Sequence, residues 1–154
     1  MSEGETALPQ DQTIEQILSS VKEALGMEVA FVSEFVDDRL VFCGIEGDVR
    51  SFGFEKDGHV PLERSYCKRV IDGRLPNVIP DARTYGETRD LPVTDEADIG
   101  SYVAVPLMRH DGRPYGTLCC LSHTADSLLR DRDLGLMEKL AQRMVARLDQ
   151  EGLL

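Results

Sequence analysis

The chain has 154 residues, 42% of them hydrophobic, which is enough to bury one core and excludes a disordered or fibrous chain. Seventeen Lys and Arg against 28 Asp and Glu leave a formal charge of −11, the wrong sign for a nucleic-acid partner or a polybasic membrane anchor. No apolar run approaches the roughly 20 residues of a spanning helix, so a single acidic domain in the cytoplasm is expected, with no membrane partner.

Residues 1–12 read as a polar, flexible lead, residues 13–150 as one domain and 151–154 as a tail. Ile14, Ile17, Leu18, Val21 and Leu25 recur at helical spacing and predict an amphipathic helix over 13–25, stopped at Gly26. Glu28–Phe35 and Arg39–Gly44 read as two strands, with Asp37 and Asp38 suited to a tight hairpin turn between them. Residues 46–60, with Gly47, Gly53 and Gly58 among charges, read as a loop. A short helix is expected from Pro61 to Ile71, stopped by Gly73. Asn77–Ile79, between Pro76 and Pro80, allows only a brief edge strand. Residues 81–98 form a charged loop of a length that is usually functional or mobile. Ser101–Leu107 and Tyr115–His123 are the clearest strands, and Arg130–Asp149 is the last helix. Hairpins bracketed by terminal helices predict an α+β sheet, with those helices on one face and loops and the short helix over a cavity on the other.

Four blocks in this order carry a resemblance. They are Val29–Phe35; Ser65-Tyr66-Cys67 with Gly73–Ala82; Asp98–Leu107; and Asp111-Gly112 with Tyr115–Leu121. Together they resemble the GAF domains of bacterial signalling proteins, most of all the modules of sensors that carry a cyclic-di-GMP phosphodiesterase or diguanylate cyclase. The resemblance implies a central antiparallel sheet, terminal helices on one face and a small-molecule pocket on the other. It also implies a regulatory domain rather than a catalyst, coupled to an output domain, with no particular ligand or cofactor named.

Free methionine-(R)-sulfoxide reductases are also GAF folds, and Cys67 lies near the position of their pocket cysteine. Residues 46–66 hold no partner thiol, so Cys43, Cys119 or Cys120 would have to serve from a strand, and either of the last two can face the pocket. Haem would need an axial ligand, for which His59 is the candidate among His59, His110 and His123. The cysteine–histidine pair of bilin attachment and the signature of cyclic-nucleotide GAF domains are both missing. The acids Asp81, Asp95, Glu96 and Asp98 have no coordination-loop spacing and read as a solvated surface, with no metal site.

Non-catalytic binding of an unidentified small molecule is therefore expected. Candidate pocket residues are Phe52, Phe54, Tyr66, Cys67, Ile79, Asp81, Tyr102 and Cys119, with the tyrosine hydroxyls orienting a ligand among apolar walls. The alternative is a closed, ligand-free dimerisation domain. Met137, Ala141, Met144 and Leu148, spaced four, three and four, suggest a coiled-coil seam and a homodimer through the terminal helices. Residues 81–98 hold six acids against Arg83 and Arg89, an excess that would disfavour phosphorylated ligands.

Overall fold

The computed structural model describes residues 12–129 and 131–154; the lead over 1–12 falls almost wholly outside them. Chain order is α1 (Ile14–Leu25), β1 (Val29–Val36), β2 (Arg39–Gly47), a 3₁₀ turn (Arg50–Phe52), β3 (His59–Pro61) and a second 3₁₀ turn (Leu62–Arg64). Then follow α2 (Tyr66–Ile71), β4 (Val78–Ile79), α3 (Gly86–Arg89), α4 (Pro92–Glu96), β5 (Ser101–Met108), β6 (Pro114–Ser122) and α5 (Asp131–Gln150). The strands form one antiparallel sheet in the order β3-β2-β1-β6-β5-β4.

Local chemistry sets the boundaries. Thr13 caps α1 by accepting from the Gln16 N–H at 3.1 Å, while the Gln16 side chain accepts from the Thr13 N–H at 2.9 Å. This reciprocal pair satisfies two donors that a helix start leaves open. Gly26 ends α1 at φ 64, and Asp37 turns the β1–β2 hairpin at φ 55. The β2 strand runs three residues beyond the expected Gly44 because of a bulge. Val32 pairs with Gly44 and Ser33 with Phe42, which leaves Cys43 as the extra residue. Alternation in β2 therefore changes phase there, and the pattern beyond it no longer reads as one strand.

Both faces of the sheet are covered. Ala30, Val32, Val103, Val105, Leu118 and Cys120 point to α1 and α5, while Val29, Phe31, Tyr102, Ala104, Cys119 and Leu121 point the other way. The doubly apolar strands β1, β5 and β6 are read as continuous hydrophobic runs for this reason. Strand β6 approaches β1 closely at Gly116, where a Cβ atom would lie 1.8 Å from the Ser33 carbonyl oxygen. Ala104 donates its N–H outward to Asn77, so two residues on, Pro106 stands where the uncovered edge of β5 would otherwise offer a donor.

The seam reading of α5 is corrected by this packing. Met137, Met144 and Leu148 are 0% exposed and Ala141 is 6% exposed, all packed with α1 and the sheet in one cluster. Their spacing is that of the core-facing stripe. Among the described residues no helix is long and apolar enough to cross a membrane.

The second face is covered by the 48–58 segment, α2, α3 and α4. The expected helix from Pro61 is a 3₁₀ turn followed by α2, because Ser65 breaks the run with an extended backbone (φ −86, ψ 149). The expected loop over 81–98 contains α3 and α4, each too short to show periodicity.

Candidate functional site

Ser65 sets the geometry of the site. Its hydroxyl donates to the Leu62 carbonyl at 2.7 Å and accepts from the Lys68 N–H at 3.3 Å, so α2 begins at Tyr66 and turns Tyr66 and Cys67 inward. Tyr66 meets Tyr102 of β5 edge-on, ring centroids 4.9 Å apart. Its hydroxyl donates to Thr94, which donates to the Thr88 carbonyl at 2.6 Å, and the Thr88 hydroxyl donates to the Ala82 carbonyl at 2.7 Å. These buried threonines brace the 81–98 segment internally and tie it to Tyr66 of α2, and burial pushes the Tyr66 phenol up to about 12.

Between α2, the 48–61 segment, α4 and the sheet lies a cavity of about 110 Å³. Phe31, Leu40, Phe42, Phe54, Ile99 and Leu121 wall it; Tyr102 and Cys67 are its polar floor. Arg64 and Glu96 stand at its rim, paired at 3.8 Å and each more than half exposed. Phe42 stacks on Phe54 at 4.7 Å and Phe31 meets Phe42 edge-on at 5.1 Å, which makes an aromatic wall. Phe52 lies one ring further out, 3.8 Å from His123 and nearly parallel to it. His123 in turn hydrogen-bonds Ser51 and the Asp98 carbonyl, each at 2.7 Å, with its Nδ1 the donor to that carbonyl. Arg83 pairs with Asp98 and holds that carboxyl below the usual carboxylate range.

The floor is a cluster of sulfur and hydroxyl groups. Thr117 donates to the Cys67 sulfur at 3.1 Å, the Tyr102 hydroxyl lies 3.4 Å from it, and the Cys119 thiol faces it from β6. Behind them, Ser33 accepts from the Thr117 N–H at 3.1 Å, and its hydroxyl is 2.7 Å from that of Thr117. With Thr117 directed at the sulfur, Ser33 is the donor in that last contact. The donors, Cys119 foremost, outweigh burial and hold the Cys67 thiol down at about 7. Burial and the facing Cys67 push Cys119 well up, and burial raises Tyr102 likewise. Of the two facing thiols, Cys67 is therefore the one that ionises first.

Of the residues the sequence singled out, Phe54, Tyr66, Cys67 and Tyr102 meet at this cavity. Cys119 lies directly behind Cys67; Cys120 is the one turned to the helices. Phe52 supports Phe54 and does not line the cavity, while Ile79 is core on β4, opposite Tyr102. Asp81 lies outside the cavity: its carboxylate accepts from the Arg83 N–H at 3.1 Å and opens a turn. His59 is exposed on the edge strand β3, where it cannot reach the cavity as an axial ligand. Among the described residues, no group of three or more His, Cys, Asp or Glu is placed to hold a metal ion. Thr117, Thr94 and Ser33 were not anticipated, although strand alternation does put Thr117 on the same face as Cys119.

A six-stranded antiparallel sheet with terminal helices on one face and a small cavity on the other is the architecture of one class of domain. The sequence profile of the GAF domain matches residues 7–149, and the chain belongs to the GAF domain family. It is 27% identical over 140 residues to a cyclic di-GMP phosphodiesterase of Pseudomonas aeruginosa, a match covering 90% of this chain and 22% of that protein. The chain therefore spans about a fifth of the length of that relative. Solved structures share the fold. The free methionine-R-sulfoxide reductase of Neisseria meningitidis, solved with its substrate, superposes with a TM-score of 0.70 at 19% identity, covering 93% of this chain and 83% of that one. The GAF domain of PixJ from Thermosynechococcus elongatus, in its blue-light-absorbing form, gives 0.67 at 14% identity, covering 89% and 86%. The GAF-B domain of DevS from Mycobacterium smegmatis gives 0.64 at 16%, covering 90% and 92%.

Proposed function

We propose that this GAF domain is a small-molecule-sensing regulatory module, without catalytic turnover of its ligand, that controls an output domain of the cyclic-di-GMP type in the cytoplasm. The observation that carries the reading is the cavity: a largely apolar pocket with Tyr102 and Cys67 at its floor and the Arg64–Glu96 pair at its rim. Its walls offer no buried cation for a phosphate, and the charged residues of its lining, Arg64 and Glu96, are paired with each other and more than half exposed at the rim. A neutral, compact ligand with an apolar or aromatic body and one hydroxyl or carbonyl fits best, its polar end toward Tyr102 and Cys67. The output assignment rests on the relative from Pseudomonas aeruginosa. Occupancy is transmitted through α1 and α5, whose exposed faces, rather than the buried stripe of Met137, Ala141, Met144 and Leu148, pair two copies.

The test uses phenol as probe, with thermal unfolding and native mass spectrometry as readouts. Phenol is expected to raise the melting temperature and to be retained at one copy per chain, and Val93→Phe, which fills the cavity from α4, is expected to abolish both. If phenol and a panel of similar neutral aromatics leave both readouts unchanged, the domain is a ligand-free interaction module.

A further inference from the structure

Ligand sensing accounts for the walls of the cavity and for Tyr102 and Cys67 as polar contacts, and leaves the second thiol, Cys119, and the Thr117 donor beside Cys67 unexplained. Among the four thiols, Cys43 lies on the helix side at the bulge and Cys120 is buried against the helices. Only Cys67 and Cys119 share the second face, and of those two only Cys67 opens on the cavity. The order is therefore solvent-connected cavity, Cys67, then Cys119. Hydroxyl groups of Thr117 and Tyr102 flank the first sulfur at 3.1 and 3.4 Å. A nucleophile in front, a second thiol behind it and hydroxyl donors at the side is the arrangement that two-electron thiol oxidation needs.

The oxidant is limited by the same geometry. An entering molecule must be small and uncharged, because the walls are apolar and the charged residues among the described lining, Arg64 and Glu96, pair with one another at the rim. Its leaving group must be an oxygen that the Tyr102 or Thr117 hydroxyl can protonate or hydrogen-bond. Hydroperoxides meet both conditions, since the smallest has only two heavy atoms and a cavity of about 110 Å³ takes several atoms.

We propose that Cys67 and Cys119 are an oxidisable dithiol, in which a small hydroperoxide entering the cavity reacts at Cys67 and a disulfide then ties α2 to β6. In the first step the Cys67 thiolate attacks one peroxide oxygen. An S–O bond forms, the O–O bond breaks, and the departing oxygen leaves as water or alcohol after taking a proton from the flanking donors. The product is a sulfenic acid at Cys67. In the second step the Cys119 sulfur, losing its proton, attacks Cys67; the S–S bond forms and the S–O bond breaks to release water. Two thiols are oxidised by two electrons and one hydroperoxide is reduced. This requires no bound ligand and stands independently of the sensing proposed above.

Closure draws Cys67 from its Thr117 and Tyr102 contacts. Tyr102 carries the edge of Tyr66, and Tyr66 holds Thr94 of α4, so oxidation reaches the rim as well as the floor.

The test treats the reduced chain with stoichiometric hydrogen peroxide, and separately with tert-butyl hydroperoxide, followed by thiol counting and peptide mapping under non-reducing conditions. The expected result is loss of two of the four thiols, a mass lower by two hydrogens, reversal by dithiothreitol, and a Cys67–Cys119 link in fragments that separate Cys119 from Cys120. In Cys119→Ser the expected product is a sulfenic acid at Cys67, trapped by dimedone. In Cys67→Ser, Cys119 stays reduced. A chain that keeps all four thiols, a Cys119–Cys120 or intermolecular link, or first oxidation at Cys43 overturns the proposal. Mapping the unsubstituted protein decides this even if a variant fails to fold.

Discussion

The donors converging on Cys67 make a prediction about stability that can be worked out in sign and size. The thiol is held at about 7 in the folded chain against 9.0 for an ordinary cysteine. Between those values the folded protein has released a proton that the unfolded chain still holds, so stability rises with pH across the window. The contribution is fully present above pH 9 and is lost as the pH falls through 7. Its limiting size is roughly 3 kcal/mol, of which about 2 is present at pH 9 and well under 1 at pH 7. Cys43 and Cys120, raised by burial to about 11 and about 12, act in the opposite direction and only above pH 9. The clean quantity is therefore the gap between the unsubstituted protein and Cys67→Ser, measured by urea unfolding under reducing conditions from about pH 6 to about pH 9. The gap should widen by about 2 kcal/mol across that range, nearly all of it above pH 7. A gap that stays constant would show that Cys67 is an ordinary buried thiol, and that the three donors merely pack against it.

Other substitutions probe the same frame. Thr117→Val removes one donor from Cys67 and leaves the Ser33 hydroxyl without its acceptor; the pH midpoint for iodoacetamide alkylation of Cys67 should move upward toward 9, and an unmoved midpoint refutes the contact. Gly116→Ala drives a Cβ into the Ser33 carbonyl at 1.8 Å, backbone against backbone, and should cost about 2 kcal/mol or more, read as a lowering of the melting temperature by roughly 4–8 °C. Met144→Ala should cost about 2–5 kcal/mol because a fully buried side chain is deleted, and Met144→Glu should prevent folding. A folded Met144→Glu chain that merely changes its association state would restore the seam reading.

The sheet and its terminal helices were legible because their signals are local and repeated. Ile17, Leu18, Val21 and Leu25 mark α1 by spacing alone, and Thr13 with Gln16 marks its start. Met137, Ala141, Met144 and Leu148 mark α5 as well, but a core stripe and a coiled-coil seam share that spacing, and only the neighbour across the stripe tells them apart. Strand β3 escaped because three residues ending in Pro61 carry no alternation. The helices α3 and α4 escaped because four or five residues do not complete two turns. The cavity was half legible. Tyr66, Cys67 and Tyr102 lie on recognisable elements, whereas Phe31, Phe42 and Leu40 read only as strand core. The partnership of Cys67 with Cys119 spans 52 positions and exists only through the pairing of β6 with β1 and β5. No local pattern encodes it.

The acidic 81–98 segment changes its meaning once these contacts are known. Asp98 is taken up by Arg83, Glu96 by Arg64 at the rim, and Asp90 lies 3.6 Å from Arg89. Part of the negative excess is therefore used in ion pairs, within the segment at Arg83 and Arg89 and across to Arg64 at the rim, and what braces its underside and ties it to Tyr66 of α2 is a set of threonine hydroxyls rather than charge. A field strong enough to repel anions at a distance is weakened by that pairing and by salt. Exclusion of charged ligands must then come chiefly from the cavity wall, where a phosphate or carboxylate would lose its water against Phe42, Phe54 and Ile99 with no cation in return. The same wall admits a neutral ring or a hydroperoxide at little cost. On the two proposals, selectivity for uncharged molecules and access of an oxidant to Cys67 would be two consequences of one feature, the apolar route from the Arg64–Glu96 rim to the thiol floor.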